Sequence, residues 1–269
     1  MTSPTPRSKA RYGWVPDLPD ARDHVYAAPH AAVANLPAST DLRSVLPDSY
    51  DQGPIGSCTA NAIGGAFQFA VRKQQLPDLM PSRLFIYYNE RAIEGTVGTD
   101  SGAMIRDGVK SVAKQGVCAE SEWPYEAVQA DASGHFPAGS REVTKPSDSC
   151  YQHALQNRAT SYQRVPRTLD QFRGCLAAGF PFVFGFTVYS SFESSEVAKT
   201  GVVPMPAAKE SVLGGHAVLA VGYDDSQQRF LVRNSWGTGW GQHGHFTMPY
   251  AYLTDANLSD DFWTIRVVS

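Results

Sequence analysis

An α+β fold, with helices in the first half and an antiparallel sheet in the second, is predicted by three features of this 269-residue sequence. Apolar residues from Ala60 to Ala113 recur at helical spacing. Runs rich in Val, Phe and Tyr after Phe180 read as strands. Helices grouped ahead of strands, without alternation, describe an α+β arrangement and not a parallel α/β sheet. We expect two lobes, mainly helical over about residues 50–150 and mainly β over about residues 151–269.

The elements follow in order. Residues 1–35 are rich in Pro, Ala and Asp, with little periodicity beyond Tyr12, Trp14 and Val15, and read as an extended arm. Ser57 is placed to cap a helix whose apolar positions Ala60, Ile63, Phe67, Ala70 and Val71 run until Pro77. A second helix follows Ser82, through Leu84, Tyr87, Tyr88 and Ala92, with both tyrosines read as packing residues. A third starts at Ser101, carries Ile105, Val109, Val112 and Ala113, and stops at Gly116. Residues 131–149 are a polar loop punctuated by Gly and Pro. Thr168 and Gln171 suit a capping box ahead of a short helix ending near Gly179. Strands are expected at Phe180–Tyr189, His216–Tyr223, Arg229–Asn234 and His243–Met248, the middle two joined as a hairpin through Asp224–Gln228.

Composition removes several classes of function. The net charge is −3, the sequence pI is near 6.2 and no long run of Lys or Arg occurs. Nucleic acid and anionic membrane are therefore not expected partners. No run approaches about eighteen apolar residues, so no membrane span is expected. Met1–Asp20 contains Arg7, Lys9 and Arg11 without an apolar stretch, so no secretory signal is read, although a signal already removed would leave the same picture. Four cysteines occur, Cys58, Cys118, Cys150 and Cys175. If Cys58 stays free for chemistry, at most one bridge remains. Reduced thiols in a cytosol-like compartment are the first reading and a Cys118–Cys150 bridge the alternative.

The chemistry resides in three segments. Gln52-Gly53-Pro54-Ile55-Gly56-Ser57-Cys58 puts a thiol at the first turn of a long apolar helix, where unpaired N–H groups favour a thiolate. With a protonated histidine beside it, such a site brings a thiol pKa down to roughly 3.5–7.5. A small buried hydrophobe is the commoner fate of a free cysteine, so Cys58 alone decides little. Gly214-Gly215-His216 opens a strand, and Arg233-Asn234-Ser235-Trp236-Gly237-Thr238-Gly239-Trp240-Gly241 closes the next one. If Tyr223 pairs with Arg229, His216 faces Trp236 and lies diagonal to Asn234 on the same face. A slip of one residue would separate them. An isolated histidine or asparagine has a structural reading; their joint placement changes it.

These three segments resemble the papain-like cysteine peptidases, and more closely their bacterial branch, from about Leu36 to the C-terminus. The resemblance implies a helical lobe and a β-barrel-like lobe with the active-site cleft between them, and a peptidase domain over residues 36–269. It matches Cys58 to the nucleophile, His216 to the base, Asn234 to the asparagine that orients the histidine, and Gln52 to the oxyanion glutamine. Gly56, Gly102, Ala103, Met104, Ala217 and Trp236 match positions that touch substrate. The sequence also departs from the family. Ile55 stands where the family has a cysteine, so the usual disulfide is not expected, and Thr59 replaces an aromatic residue. The long inhibitory prosegment is replaced by the short arm.

Amide hydrolysis needs a nucleophile, a base that later protonates the amine, and donors for the oxyanion. Cys58, His216, and Gln52 with the Cys58 N–H would supply these, with no metal or cofactor. The expected protein is a monomeric cysteine endopeptidase acting on peptides or proteins. An amidase or transpeptidase using the same Cys–His pair, and a binding protein that has lost catalysis, are the competing readings. The resemblance implies that Ala103, Met104 and Ala217 wall the pocket for the second residue before the cleavage point, and their apolar side chains predict a hydrophobic preference there. His243 and His245 are expected to share a strand face, a weak pointer to metal. The Gly237–Gly241 run opens no helix and so does not read as a phosphate loop. Tyr12, Trp14 and Val15 are too apolar to stay wet in so short a segment. The arm is therefore expected either to cover the cleft between Cys58 and His216 or to strap the far surface.

Overall fold

Cys58 opens the longest helix, and the rest of the chain is built around it. The computed structural model describes residues 12–269, so Arg7, Lys9 and Arg11 lie outside the described residues. The described residues begin with a two-residue strand β1 (Trp14–Val15), one turn of helix α1 (His30–Val33) and strand β2 (Ser39–Asp41). Helix α2 (Cys58–Lys73) is buried on every side from Cys58 to Val71, as expected of a central helix. Ser57 does not cap it with its side chain. Its hydroxyl instead meets Tyr125 Oη at 2.5 Å and accepts from Asn61 Nδ2 at 3.0 Å.

Helix α3 (Arg83–Glu94) starts where expected, because the Ser82 hydroxyl accepts the Phe85 N–H, and it ends on Gly95 in the left-handed region. Strand β3 (Ala103–Met104) takes the place of the expected start of the third helix, so α4 (Ile105–Lys114) begins four residues after Ser101. The predicted loop ends early too. Ser147 accepts the Cys150 N–H and starts α5 (Asp148–Ala154), which leads into β4 (Ala159–Arg164). Thr168 caps α6 (Leu169–Ala177) through the Gln171 N–H, but the Gln171 side chain turns away to accept the Ala28 N–H at 2.7 Å. The reciprocal capping box does not form.

Strands β5 (Phe182–Tyr189), β6 (Val212–Asp224), β7 (Arg229–Arg233), β8 (His245–Pro249) and β9 (Ser259–Val268) complete the fold, with short helices α7 (Ser195–Thr200) and α8 (Tyr250–Thr254) between them. They form an open antiparallel sheet in the order β4-β9-β5-β6-β7-β8, with β2 against β6, and no closed barrel. His243 lies outside β8 with φ of 53°, so the expected shared face with His245 is absent.

The hairpin register differs from expectation in an informative way. Tyr223 faces Phe230, not Arg229. A bulge between Ala220 and Gly222 then takes up one residue, so Ala220 faces Val232 and Leu219 faces Arg233, which are the partners the expected register gives. The bulge also switches faces. Ala217, Leu219 and Val221 pack with α2, whereas Val218, Ala220 and Tyr223 pack with Phe172, Phe182 and Phe230 on the other side. The sheet is buried on both faces. Aromatic rings fill the second core, with Phe172 and Phe262 centroids 4.4 Å apart. All four cysteines are free and buried, Cys118 and Cys150 together beside Phe85. Among the described residues no helix is long and apolar enough to cross a membrane.

Candidate active site

The first turn of α2 meets the start of β6. Cys58 Sγ accepts the Ala217 N–H at 3.4 Å, which fixes the sulfur beside the strand that carries His216. His216 Nε2 lies 2.8 Å from Asn234 Oδ1, the residue that follows β7. The Ser235 N–H also donates to that oxygen, at 2.9 Å, so the amide presents its carbonyl to the ring. The histidine therefore carries its hydrogen on Nε2, and Nδ1 is left as the acceptor. Nδ1 is buried with no hydrogen-bond partner of its own. The Trp236 indole lies over the imidazole, with centroids 5.3 Å apart and planes at 31°.

Gln52 is held on three sides. Its backbone N–H donates to Ser235 O at 2.8 Å, its Oε1 accepts the Ser235 hydroxyl at 2.6 Å, and Tyr125 Oη donates to its carbonyl at 2.8 Å. With Oε1 fixed as acceptor, one hydrogen of Nε2 goes to Ile55 O at 3.0 Å and the other is free to meet a ligand. Ser235 and Tyr125 were not foreseen. No spacing in the sequence announces two side chains that brace Gln52.

The opposite wall is pinned from below. Tyr87 donates to Asp100 Oδ1 at 2.6 Å and accepts the Gly102 N–H at 3.2 Å, while the Gly56 N–H donates to the same Asp100 oxygen at 2.9 Å. Tyr87, read as packing, thus sets the height of both glycines. Arg91 reinforces the loop by donating to the carbonyls of Val97, Thr99 and Glu142.

Residues 12–15 fill the space between these walls. Tyr12 stands edge-on to His216, with centroids 5.8 Å apart. The Ala103 N–H donates to Gly13 O at 2.8 Å, and β1 pairs in parallel with β3, Trp14 against Ala103 and Val15 against half-buried Met104. Gly13 touches the backbone of Gly56 and Gly102, so a Cβ there would come within 1.7 Å of Gly56 O. The Trp14 ring lies over Gly185 and Gly215, and its Nε1 donates to Asp261 Oδ2 at 3.1 Å. This floor of two glycines and a buried carboxylate was missed, although glycine inside a strand marks close approach. Cys58 and His216 are both 0% exposed, so the pair is sealed.

That seal changes the electrostatics. Burial pushes the Cys58 thiol up to about 11, against the opposing pull of the Ala217 and Gly13 N–H groups. Burial drives His216 down to about 4, although the Asn234 contact favours its charged form. The expected thiolate is therefore absent here and the pair is neutral, because no water reaches it.

Comparison with known proteins gives the family and the fold. Residues 36–261 match the family described as "Papain family cysteine protease". An uncharacterized peptidase C1-like protein of Acanthamoeba polyphaga mimivirus is 40% identical, over 96% of this chain and 87% of its own length. The crystal structure of xylellain, a cysteine protease from Xylella fastidiosa, superposes with a TM-score of 0.92 at 48% identity, covering 97% of each chain. Procathepsin L 3 of Tenebrio molitor shares the fold, with a TM-score of 0.69 at 20% identity over 96% of this chain and 75% of that one.

Proposed function

The chain belongs to the papain family of cysteine proteases and is a cysteine peptidase, and from that premise we propose that it cleaves peptide bonds internally with Cys58 as nucleophile, His216 as base, Asn234 orienting His216 and Gln52 donating to the oxyanion. The observation that carries this reading is the His216–Asn234 contact, which leaves Nδ1 as the acceptor beside the helix end that bears Cys58. In the open cleft, Nδ1 takes the thiol proton and the thiolate attacks the scissile carbonyl. The oxyanion is held by Gln52 Nε2 and the Cys58 N–H. The same proton then passes to the leaving amine, and water activated by His216 hydrolyses the thioester. Gln52→Ala is expected to cost about 2.7–4 kcal/mol of transition-state stabilisation. Steady-state kinetics check it: kcat should fall, whereas a loss confined to KM would make Gln52 a substrate-binding group only.

We take residues 36–269 as the peptidase domain and residues 1–35 as an autoinhibitory arm. Direction supports the latter. Because His216 protonates the amine, the leaving fragment of a substrate lies toward His216 and Trp236, and the acyl fragment toward Gly56 and Gly102. Substrate thus runs from Gly102 to His216, whereas the arm runs from His216, at Tyr12, to Ala103, at Trp14. It lies in the cleft backwards, which keeps its own peptide bonds from the productive geometry. Farther along, the Tyr26 N–H donates to Arg164 O, the Arg164 N–H donates to His24 O and the Ala28 N–H donates to Gln171, which fastens the arm to β4 and α6.

A cluster of charges anchors the arm. Asp17 accepts the Arg106 N–H and Trp263 Nε1, its own N–H donates to Asp261, and Arg164 pairs with Asp261 and lies near Asp17. Asp23 pairs with Arg106, and Asp260 with Arg164. Burial raises the carboxyls of both Asp17 and Asp261. A docked arm therefore holds protons that a free arm and an open cleft would release. Docking is strengthened as pH falls toward the ordinary carboxylate value of about 3.9 and weakened as pH rises through the raised values. The Cys58–His216 pair carries one proton both when sealed and neutral and when open and ion-paired, so the two carboxyls set the sign and acid should tighten the arm. The ratio of kcat/KM between Gly13→Ala and the parent chain, which cancels the pH profile of the chemistry, should be larger at pH 5 than at pH 8. A smaller ratio at pH 5 would reverse this account.

A further inference from the structure

On the leaving-group side stands a carboxylate that none of the steps above uses. Glu193 ends a 3₁₀ turn (Ser190–Glu193) after β5, next to Phe192, whose ring packs on Trp236 with centroids 5.3 Å apart. The carboxylate accepts the Tyr12 hydroxyl, and among the described residues no other hydrogen bond or ion pair engages it. Tyr12 reaches it through a slot. The ring stands edge-on to His216, tilted 47° to Trp236 at 6.3 Å, and an added Cβ on Gly214 would come within 2.8 Å of the Tyr12 Cβ. Burial and the neighbouring carboxylate keep the phenol protonated, so it donates. When the arm leaves, Glu193 faces the open cleft at the far end of an aromatic-lined slot.

We propose that Glu193 is a specificity-determining residue for the first residue of the leaving fragment. It selects a side chain of about tyrosine length with a hydrogen-bond donor at its tip, tyrosine foremost and lysine or arginine next, over phenylalanine and leucine. The inference rests on the reading that the arm and the substrate share one cleft. Although the arm's main chain runs backwards, its side chain probes the same walls. A phenylalanine in the slot would crowd water away from the carboxylate and return no donor, which is how a site built for a hydroxyl rejects its isostere. Glu193 is half-buried, so water screens part of that penalty. The discrimination is accordingly set at about tenfold, the low end for one hydrogen bond to a charged group.

The test uses the full-length chain carrying Gly13→Ala, with peptides that differ only in the residue after the scissile bond. The kcat/KM ratio of the Tyr to the Phe peptide should be about ten. Glu193→Leu should bring it to about one. Glu193→Gln keeps an acceptor at the same reach, so it should retain Tyr over Phe while losing Lys over Leu. A Tyr to Phe ratio near one in the parent, or one that Glu193→Leu leaves unchanged, overturns the assignment while peptidase activity itself persists. Absence of hydrolysis with every peptide would instead remove the shared-cleft reading and this inference with it.

Discussion

Cys58→Ala is expected to abolish peptide hydrolysis and leave the fold intact. The loss should be on the order of 10⁶-fold in kcat, the scale on which acyl-transfer enzymes lose activity with their nucleophile. No other thiol can substitute. Cys118 and Cys150 are buried together beside Phe85, and Cys175 lies under Phe180, whose carbonyl its thiol meets at 3.4 Å. The structural cost is small, because one sulfur atom is removed at a helix end where neighbouring side chains can close in. Hydrolysis of a short peptide, followed together with thermal unfolding, checks both halves. A variant that melts like the parent and still turns over substrate would remove Cys58 from the mechanism.

Gly13→Ala should release the activity that the arm withholds. A Cβ at residue 13 would lie 1.7 Å from Gly56 O and 2.5 Å from its carbonyl carbon, and neither backbone atom can swing aside as a side-chain tip would. Overpacking of that kind costs about 3 kcal/mol at the upper end of the usual range. The open fraction, and with it kcat/KM on a short peptide, should rise about a hundredfold wherever the parent arm is mostly docked. Gly98→Ala is the matching control, since a Cβ there meets nothing within 4 Å. Unchanged kcat/KM with a lowered melting temperature would make the arm a structural strap.

The helices and the three segments of chemistry were legible because their signals are local. The 3.6-residue spacing from Ala60 to Val71, the Ser82 cap and the His216 to Asn234 hairpin all depend on neighbours in sequence. Strands β4 and β9 were missed. Strand β9 lies between β4 and β5 and is buried on both faces, so its Phe262-Trp263-Thr264-Ile265 run lacks the alternation that marks a half-buried strand. The bulge near Val221 could not be read either, since nothing in Ala220-Val221-Gly222 distinguishes a bulged pair from a regular one. At the site, the residues we propose for the chemistry stand out in the sequence and those that brace them do not. Ser235, Tyr125, Asp100 and Asp261 act through contacts with residues far away in sequence. The effect of the arm on the Cys58 thiol was not legible for the same reason: a helix N-terminus and a histidine favour a thiolate in the open site, but an arm more than forty positions upstream dries it.

The most direct measurement is alkylation by an epoxide inactivator at pH 7, with the modified residue mapped by mass, in the full-length parent and in Gly13→Ala. A thiol held near 11 leaves about one molecule in ten thousand as thiolate at pH 7, whereas an open thiol in the roughly 3.5–7.5 range is largely ionised. The lower basicity of the open thiolate gives back part of that gain. About a hundredfold should remain, before access is counted. The label should fall on Cys58 in both chains and form about a hundred times faster, or more, in Gly13→Ala. Labelling of another cysteine, or equal rates at Cys58, would contradict a Cys58 nucleophile sealed by its own arm.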